Sequence, residues 1–265
     1  MIEIAKTAAL SAANIIMNHY GTLKTSDIRE KRRNDFLTFV DETSEKEIIR
    51  IIKNTFPDHT VLAEESGSSG KDDSYRWIID PLDGTKNYIC NIPIFSISIA
   101  LQHLGETILG VVYDPVHDEF YTAEKGKGAF LNGHTIKVNQ QSDLSASLLG
   151  TGFPFKYKSY LGKYLECFED IFSHLSGVRR MGSAAIDLCY VAAGRFEGFW
   201  EFGLSAWDMA AGSLIIEEAG GKASDFWAGN DYLDNSFLLA TNGYIHEKVL
   251  NIIQKHFPNP VQLNL

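Results

Sequence analysis

Residues that could do chemistry are densest in Trp77-Ile78-Ile79-Asp80-Pro81-Leu82-Asp83-Gly84-Thr85. Two acids stand three apart with a proline between them, at the end of an apolar run. Proline holds the residue before it in extended geometry, so Asp80 ends a strand and Asp83 falls in the turn beyond. Gly84 lets backbone approach a ligand closely. If a helix starts just after it, the free N–H groups there attract phosphate. Carboxylates beside a phosphate cradle repel the ligand unless cations lie between them. The chemistry this predicts is a hard divalent metal bridging Asp side chains and a phosphate ester.

Further acids could join that site, and each also has a plain structural reading. Asp41 follows the apolar stretch Phe36-Leu37-Thr38-Phe39-Val40 and, taken alone, is a helix N-terminal acid favoured by the dipole. Glu64 and Glu65 follow the strand-like Val61-Leu62-Ala63 and lead into the Gly/Ser-rich loop 66–70. They precede Asp80 by about a strand length, so a shared metal site is open to them. Ser205-Ala206-Trp207-Asp208 matches a helix capping pattern, with Asp208 in the first turn. Its functional reading aims Asp208 across a cleft as the one metal ligand from the second half. Glu201 is an ordinary strand acid or an acceptor for a polyol hydroxyl, and Gly182-Ser183-Ala184 a tight helix entry or a ligand-facing turn.

The elements that must position these residues follow from periodicity. Ile4, Ala8, Ala12, Ile15 and Ile16 predict a helix over 2–20, and Ile48, Ile52 and Phe56 a second one ending before Pro57. Residues 24–35, with the run Arg29-Glu30-Lys31-Arg32-Arg33, read as a solvated surface turn or as basicity on the substrate side. Phe95, Ile97, Ile99 and Leu101 alternate with Ser96, Ser98 and Ala100, a strand with one large and one small face that helices cover on both sides. Strands over 108–113 and 119–123 and a hairpin at Asn132-Gly133 continue a mostly antiparallel meander.

The polar stretch 139–145 divides this α+β half, residues 1–142, from a smaller α/β half, residues 143–265. There, strands at 148–151, 198–202 and 236–241 alternate with helices at 159–173, 206–219 and 244–255 and with one that residues 179–184 lead into and that reaches Ala193-Gly194. Gly126-Lys127-Gly128 reads as turn glycine rather than a nucleotide loop, and the sequence carries no internal repeat.

The 265 residues suffice for a sizeable core. No apolar run reaches the roughly 18 residues of a membrane span. The first residues lack the pattern of a signal peptide. Cys90, Cys167 and Cys189 stand far apart, which suggests buried reduced thiols in a cytoplasmic protein rather than disulfides or zinc. A net charge of −10 argues against nucleic acid as the main partner.

Together, the quoted stretches resemble the inositol monophosphatase family. The matching motifs are Ala63-Glu64-Glu65-Ser66-Gly67, Trp77 to Thr85, Gly182-Ser183-Ala184-Ala185, Trp200-Glu201 and Trp207-Asp208-Met209-Ala210-Ala211-Gly212. They occur in the family's order over nearly the whole chain. The resemblance implies a layered αβαβα sandwich, a homodimer, and hydrolysis of a phosphate monoester with two or three Mg²⁺ ions per site. It further implies Glu64, Asp80, the Leu82 carbonyl, Asp83 and Asp208 as metal ligands, with Glu65 near the metal's water shell. Asp41 and Thr85 resemble the pair that orients and deprotonates the attacking water, beside Glu64. Gly84 and Thr85 would contact phosphate, and Gly182, Ser183, Ala184 and Glu201 a small phosphorylated polyol such as myo-inositol 1-phosphate. Lithium inhibition is implied too.

One departure concerns a lysine that the family often places five residues before the acid of its Asp-x-x-Thr segment. Counted back from Asp35, that position is Glu30, with Lys31 one residue off. Fructose-1,6-bisphosphatase, 3′-phosphoadenosine 5′-phosphate phosphatase and NADP phosphatase share the metal core and stay open as alternatives, as does a non-catalytic regulatory relative.

Overall fold

The structure, a computed structural model, describes residues 1–32, 35–261 and 263, and no side chain at 31, 32, 35, 72 or 73. Arg33, Asn34 and the Lys31 side chain, part of the basic stretch noted above, lie outside the described residues.

Alanines at helical spacing give α1 (Ile2–His19), which buries Ala5, Ala8, Ala9, Ala12 and Ile16. A two-stranded antiparallel hairpin, β1 (Ile28–Arg32) and β2 (Asp35–Thr38), leads into α2 (Phe39–Thr55). The sequence reading of 24–35 as a turn is corrected here. A charged run has no apolar alternation to reveal a strand, and backbone pairing alone makes this one. The main sheet follows with β3 (His59–Ala63), β4 (Gly67–Ser69) and β5 (Asp72–Asp83). The short helix α3 (Thr85–Ile89) precedes β6 (Ser96–His103), β7 (Glu106–Asp114), β8 (Glu119–Glu124), β9 (Ala129–Leu131) and β10 (His134–Ile136). These eight strands lie in the order β10-β9-β8-β7-β6-β5-β3-β4, antiparallel except for the β3–β5 pair. Residues 67–69, read as loop, pair antiparallel with β3. Gly and Ser have low strand propensity, and it is the neighbouring backbone that decides.

The second half begins with β11 (Leu148–Thr151), α4 (Leu161–Phe172) and β12 (Gly177–Arg179). Next come α5 (Ala184–Ala192), β13 (Gly198–Phe202) and α6 (Ala206–Glu218). The chain continues through β14 (Lys222–Ser224), α7 (Tyr232–Asn235), β15 (Phe237–Thr241) and α8 (His246–His256). Its five-stranded mixed sheet has the order β12-β11-β13-β15-β14. β12 and β14 span three residues each, too short to show a period in sequence.

Three apolar clusters define five layers. Ile97, Ile99 and Leu101 pack with α1 and α2 on one side of the large sheet. Ile78, Ala100 and Val112 on its other side pack with α5, α6 and the inner residues Phe199, Leu238 and Ala240 of the small sheet. Outer residues Trp200, Phe202, Phe237 and Leu239 meet Tyr164 and Cys167 of α4 and Val249 and Ile253 of α8. The architecture is therefore αβαβα, with α5 and α6 as the shared middle layer. The small face of β6 and β7 lets α6 lie close: a Cβ at Gly110 would come 2.7 Å from the Ala211 carbonyl oxygen. Cys167 and Cys189 are buried as expected, but Cys90 is exposed.

Candidate functional site

The strand β5 carries its apolar run into the core and then delivers the acids. Asp80 pairs with Ser98 and Asp83 with Ser96 across the antiparallel ladder, with an irregularity between them where Pro81 interrupts donation. The Leu82 N–H turns back onto Asp80 Oδ1 at 2.9 Å, fixing that carboxylate. Gly84 follows at φ +93° as the residue before α3, and a Cβ there would lie 3.2 Å from the Gly182 carbonyl oxygen. Glycine is therefore required both by conformation and by the approach of the second half.

Parallel pairing of β3 with β5 sets Ala63 beside Ile79, and the Glu64 N–H donates to the Ile79 carbonyl at 3.2 Å. Glu64 thereby enters the neighbourhood of Asp80. The buried Glu45 of α2 holds the following turn, accepting from the Glu65 N–H at 2.7 Å and the Ser66 N–H at 2.9 Å. Asp41 occupies the third position of α2, with Thr38 as N-cap. Its Oδ2 accepts from the Thr38 N–H and hydroxyl at 2.9 and 2.6 Å, while its Oδ1 faces the Thr85 hydroxyl at 3.0 Å. That hydroxyl also stands 3.0 Å from the Leu82 carbonyl oxygen. Asp41 is thus at once a capping acid and a partner of Thr85.

The second half closes over this edge. Asp83 Oδ2 accepts from the Ser183 hydroxyl at 2.6 Å and the Ala185 N–H at 2.8 Å, at the start of α5. Asn87 ties α3 to this entry by donating to the Ile94 and Met181 carbonyls at 2.8 and 2.9 Å. Asp208, in the first turn of α6, accepts from the Ser205 N–H at 2.7 Å. Carboxylate oxygens of Asp80, Asp83 and Asp208 all lie within 4.8 Å of one another. A cavity of about 190 Å³ adjoins them, lined among others by Gly182, Ser183, Ala184, Glu201 and Arg180.

Electrostatics follow from this crowding. Burial first, then the charges of Glu64, Asp83 and Asp208, push Asp80 well above the usual carboxylate range. Burial and Asp208 raise Asp83 to about 7, against the lowering effect of its Ser183 and Ala185 donors. Asp208 rises to about 6, chiefly through burial. Asp41 also reaches about 6 by burial, opposed by its Thr38 bonds and helped by Glu64. Glu201 is raised to about 8 by burial, with Arg180 pulling the other way. Acids crowded this way, all of them oxygen donors, fit a hard divalent cation that would offset their repulsion.

Of the residues singled out from sequence, the fold brings Asp80, Asp83 and Asp208 into one cluster and joins Asp41 to Thr85. Glu64 stands outside that 4.8 Å set, though its charge acts on each of Asp41, Asp80, Asp83 and Asp208. The Glu65 backbone is spent on Glu45, on the α2 side. Sequence reasoning missed Glu45, Asn87 and Arg180. Glu45 was legible only as one acid in a charged helix, and Asn87 only as a polar residue after Gly84-Thr85-Lys86.

A family model described as the inositol monophosphatase family matches residues 1–257. A protein of Pasteurella multocida named Nus factor SuhB is 44% identical over 255 residues, covering 96% of each chain. The crystal structure of extragenic suppressor protein suhB from Bartonella henselae superposes with a TM-score of 0.92 at 38% identity, covering 96% of this chain and 98% of that one. Inositol monophosphatase from Anabaena (Nostoc) gives a TM-score of 0.86 at 40% identity, covering 96% and 95%.

Proposed function

The chain belongs to the inositol monophosphatase family, and from that premise we propose that it is a Mg²⁺-dependent phosphoric monoester hydrolase whose substrate is a small phosphorylated polyol, myo-inositol 1-phosphate. The observation that carries this reading is the set of three carboxylates within 4.8 Å of one another, opening on a cavity lined by Glu201.

Asp80, Asp83 and Asp208 would hold the metal, with the Leu82 carbonyl and Glu64 completing an oxygen-only set for two or three ions. Bound there, Mg²⁺ would act as a Lewis acid, lowering the pKa of a water and offsetting phosphate charge. The chain's own part is positioning and proton transfer. Thr85 Oγ1 can accept a proton from the attacking water while passing its own to Asp41 Oδ1, 3.0 Å away. A carboxylate with its pKa near 6 is ionised at neutral pH yet basic enough for that task. The backbone at Gly84 and Thr85 takes phosphate oxygens. Gly182, Ser183, Ala184 and Glu201 face the leaving polyol across the cavity. A homodimer, lithium inhibition and a cytoplasmic location belong to the same proposal. Among the described residues no helix is long and apolar enough to cross a membrane.

The test is phosphate release over a range of Mg²⁺ concentrations, with and without Li⁺. Substrates would be myo-inositol 1-phosphate, fructose 1,6-bisphosphate, 3′-phosphoadenosine 5′-phosphate and NADP⁺. Preference for inositol phosphate supports the reading, and preference for another keeps the metal core while overturning the polyol. A second reading, a regulatory role, is favoured by the relative named Nus factor SuhB at 44% identity. Absence of Mg²⁺-dependent release from every substrate would move that reading to first place.

A further inference from the structure

The buried stripe of α2 changes character as it nears the acid cluster. Asp41, Glu45, Ile48 and Ile52 recur at helical spacing on its buried side, so two acids continue a face that is otherwise apolar core. Asp41 is accounted for by its bonds to Thr38 and Thr85. Glu45 is only 2% exposed, and it lies about two turns beyond the N-cap, where the helix itself gains nothing from an acid. A buried carboxylate is costly unless hydrogen-bonded, so its partners say why it is there.

Those partners are two consecutive backbone N–H groups. Glu45 Oε2 accepts from Glu65 at 2.7 Å and Oε1 from Ser66 at 2.9 Å. Glu64, Glu65 and Ser66 form the turn between β3 and β4. The Glu64 N–H donates to the Ile79 carbonyl at 3.2 Å. All three successive donors of the turn are therefore committed, the first to β5 and the other two to α2. The backbone that carries Glu64 is held from two elements at once. Glu64 is also the acid whose charge reaches Asp41, Asp80, Asp83 and Asp208 alike.

We propose that Glu45 is a positioning residue for the metal site, its carboxylate holding the 64–66 turn against β5 so that Glu64 meets a cation bound by Asp80, Asp83 and Asp208. This rests on the Mg²⁺-dependent reading above. Both oxygens matter, because an ionised carboxylate accepts at two atoms and offers no donor. An amide of the same length would turn its NH₂ toward one of the two N–H groups. Donor would then face donor, and the turn would be released on that side. Residues that orient a ligand without touching the metal set its affinity, and losing one weakens binding roughly 10- to 100-fold.

The experiment uses the full chain and compares wild type with Glu45→Gln and Glu47→Gln. The second variant removes an acid of the same helix that bonds Arg50 and Ser11 instead. Isothermal calorimetry reads Mg²⁺ binding without substrate, well below the melting temperatures of the metal-free proteins. Phosphate release from myo-inositol 1-phosphate reads the Mg²⁺ concentration for half-maximal rate. In Glu45→Gln the Kd for Mg²⁺ should rise ~10-fold or more. The half-maximal Mg²⁺ should rise in step, with a loss of rate that saturating Mg²⁺ largely restores. Glu47→Gln should bind Mg²⁺ as wild type does. A merely structural role would lower the melting temperature of Glu45→Gln and leave its Kd unchanged. That outcome, or equal weakening by both variants, would overturn the assignment and leave the metal-dependent reading standing. If Glu45→Gln does not fold, Glu45→Asp, which keeps the charge but is one methylene shorter, is read in its place. A wild type that neither binds Mg²⁺ nor releases phosphate would sink both.

Discussion

The two walls of the cleft both gather buried acids, and they treat them differently. At the β5 end and across the cleft, Asp80, Asp83 and Asp208 each accept from backbone N–H groups of their own turns or of α5. Asp83 adds a hydroxyl donor from Ser183. Such donors favour the charged form and fix its direction, which is what a cation site needs. On the α5 and β13 wall, Asp187 Oδ1 has no such donor, and Glu201 is pushed up to about 8. One set is wired to stay anionic when a cation arrives. In the other, Glu201 lines the cavity. The lesson is that burial of an acid says little by itself, and the donors aimed at it say what it is for.

If this contrast holds, damage to the two walls should separate chemistry from recognition. The largest loss is expected from Asp83→Asn or Asp208→Asn: kcat with Mg²⁺ falls ~10³-fold or more, while the melting curve changes little. Near-normal kcat in either would refute the ligand assignment. Thr85→Ala and Asp41→Asn should follow, with kcat down ~10²-fold or more at little change in KM, since general-base help is worth that much. Steady-state kinetics on one substrate decide it.

On the recognition wall, Gly152→Ala drives a methyl into the Glu201 carboxylate. KM for inositol phosphate should rise ~10-fold, with p-nitrophenyl phosphate turnover kept. Loss on both substrates would erase the distinction between the walls.

The smallest effect is a stability profile of the metal-free protein. Asp41 and Asp208 near 6, Asp83 near 7 and Glu201 near 8 all lie above ordinary carboxylate values. The folded state therefore binds more protons than the unfolded one, and stability present at about pH 4 is lost as pH rises through 6 to 8. Thermal melts in EDTA should show Tm falling over that window. Added Mg²⁺ should raise Tm more at pH 8 than at pH 5, because metal and protons compete for the same oxygens. Equal Mg²⁺ shifts at both pH values would count against the cluster as the cation site.

Much of the acid cluster was legible because it is local. Asp80, Pro81, Asp83, Gly84 and Thr85 are consecutive in effect, and strand end, bulge and helix start follow from proline and glycine stereochemistry. Asp208 was readable as a first-turn acid, but its distance from Asp80 was not. The hairpin of β1 and β2 and the short strands β4, β12 and β14 escaped because pairing, not side-chain period, makes them. Asp187 escaped because it is one acid inside the apolar run Ala184-Ala185-Ile186-Asp187-Leu188-Cys189. A charge on the buried side of an otherwise apolar helix was the signal that could have found it.

The sequence by itself determined the amphipathic faces, the turn chemistry around Gly84 and the motif order that places the chain in its family. These depend on contacts a few residues apart, where covalent geometry leaves few choices. Tertiary structure alone decided that α5 and α6 form a layer shared by both sheets, that Ser183 and Ala185 donate to Asp83, and that Gly150 and Gly152 open slots for Asp187 and Glu201. Those contacts join residues some 35 to 100 positions apart. No local preference encodes such a distance; it is fixed only when the apolar faces of two sheets close on the same pair of helices.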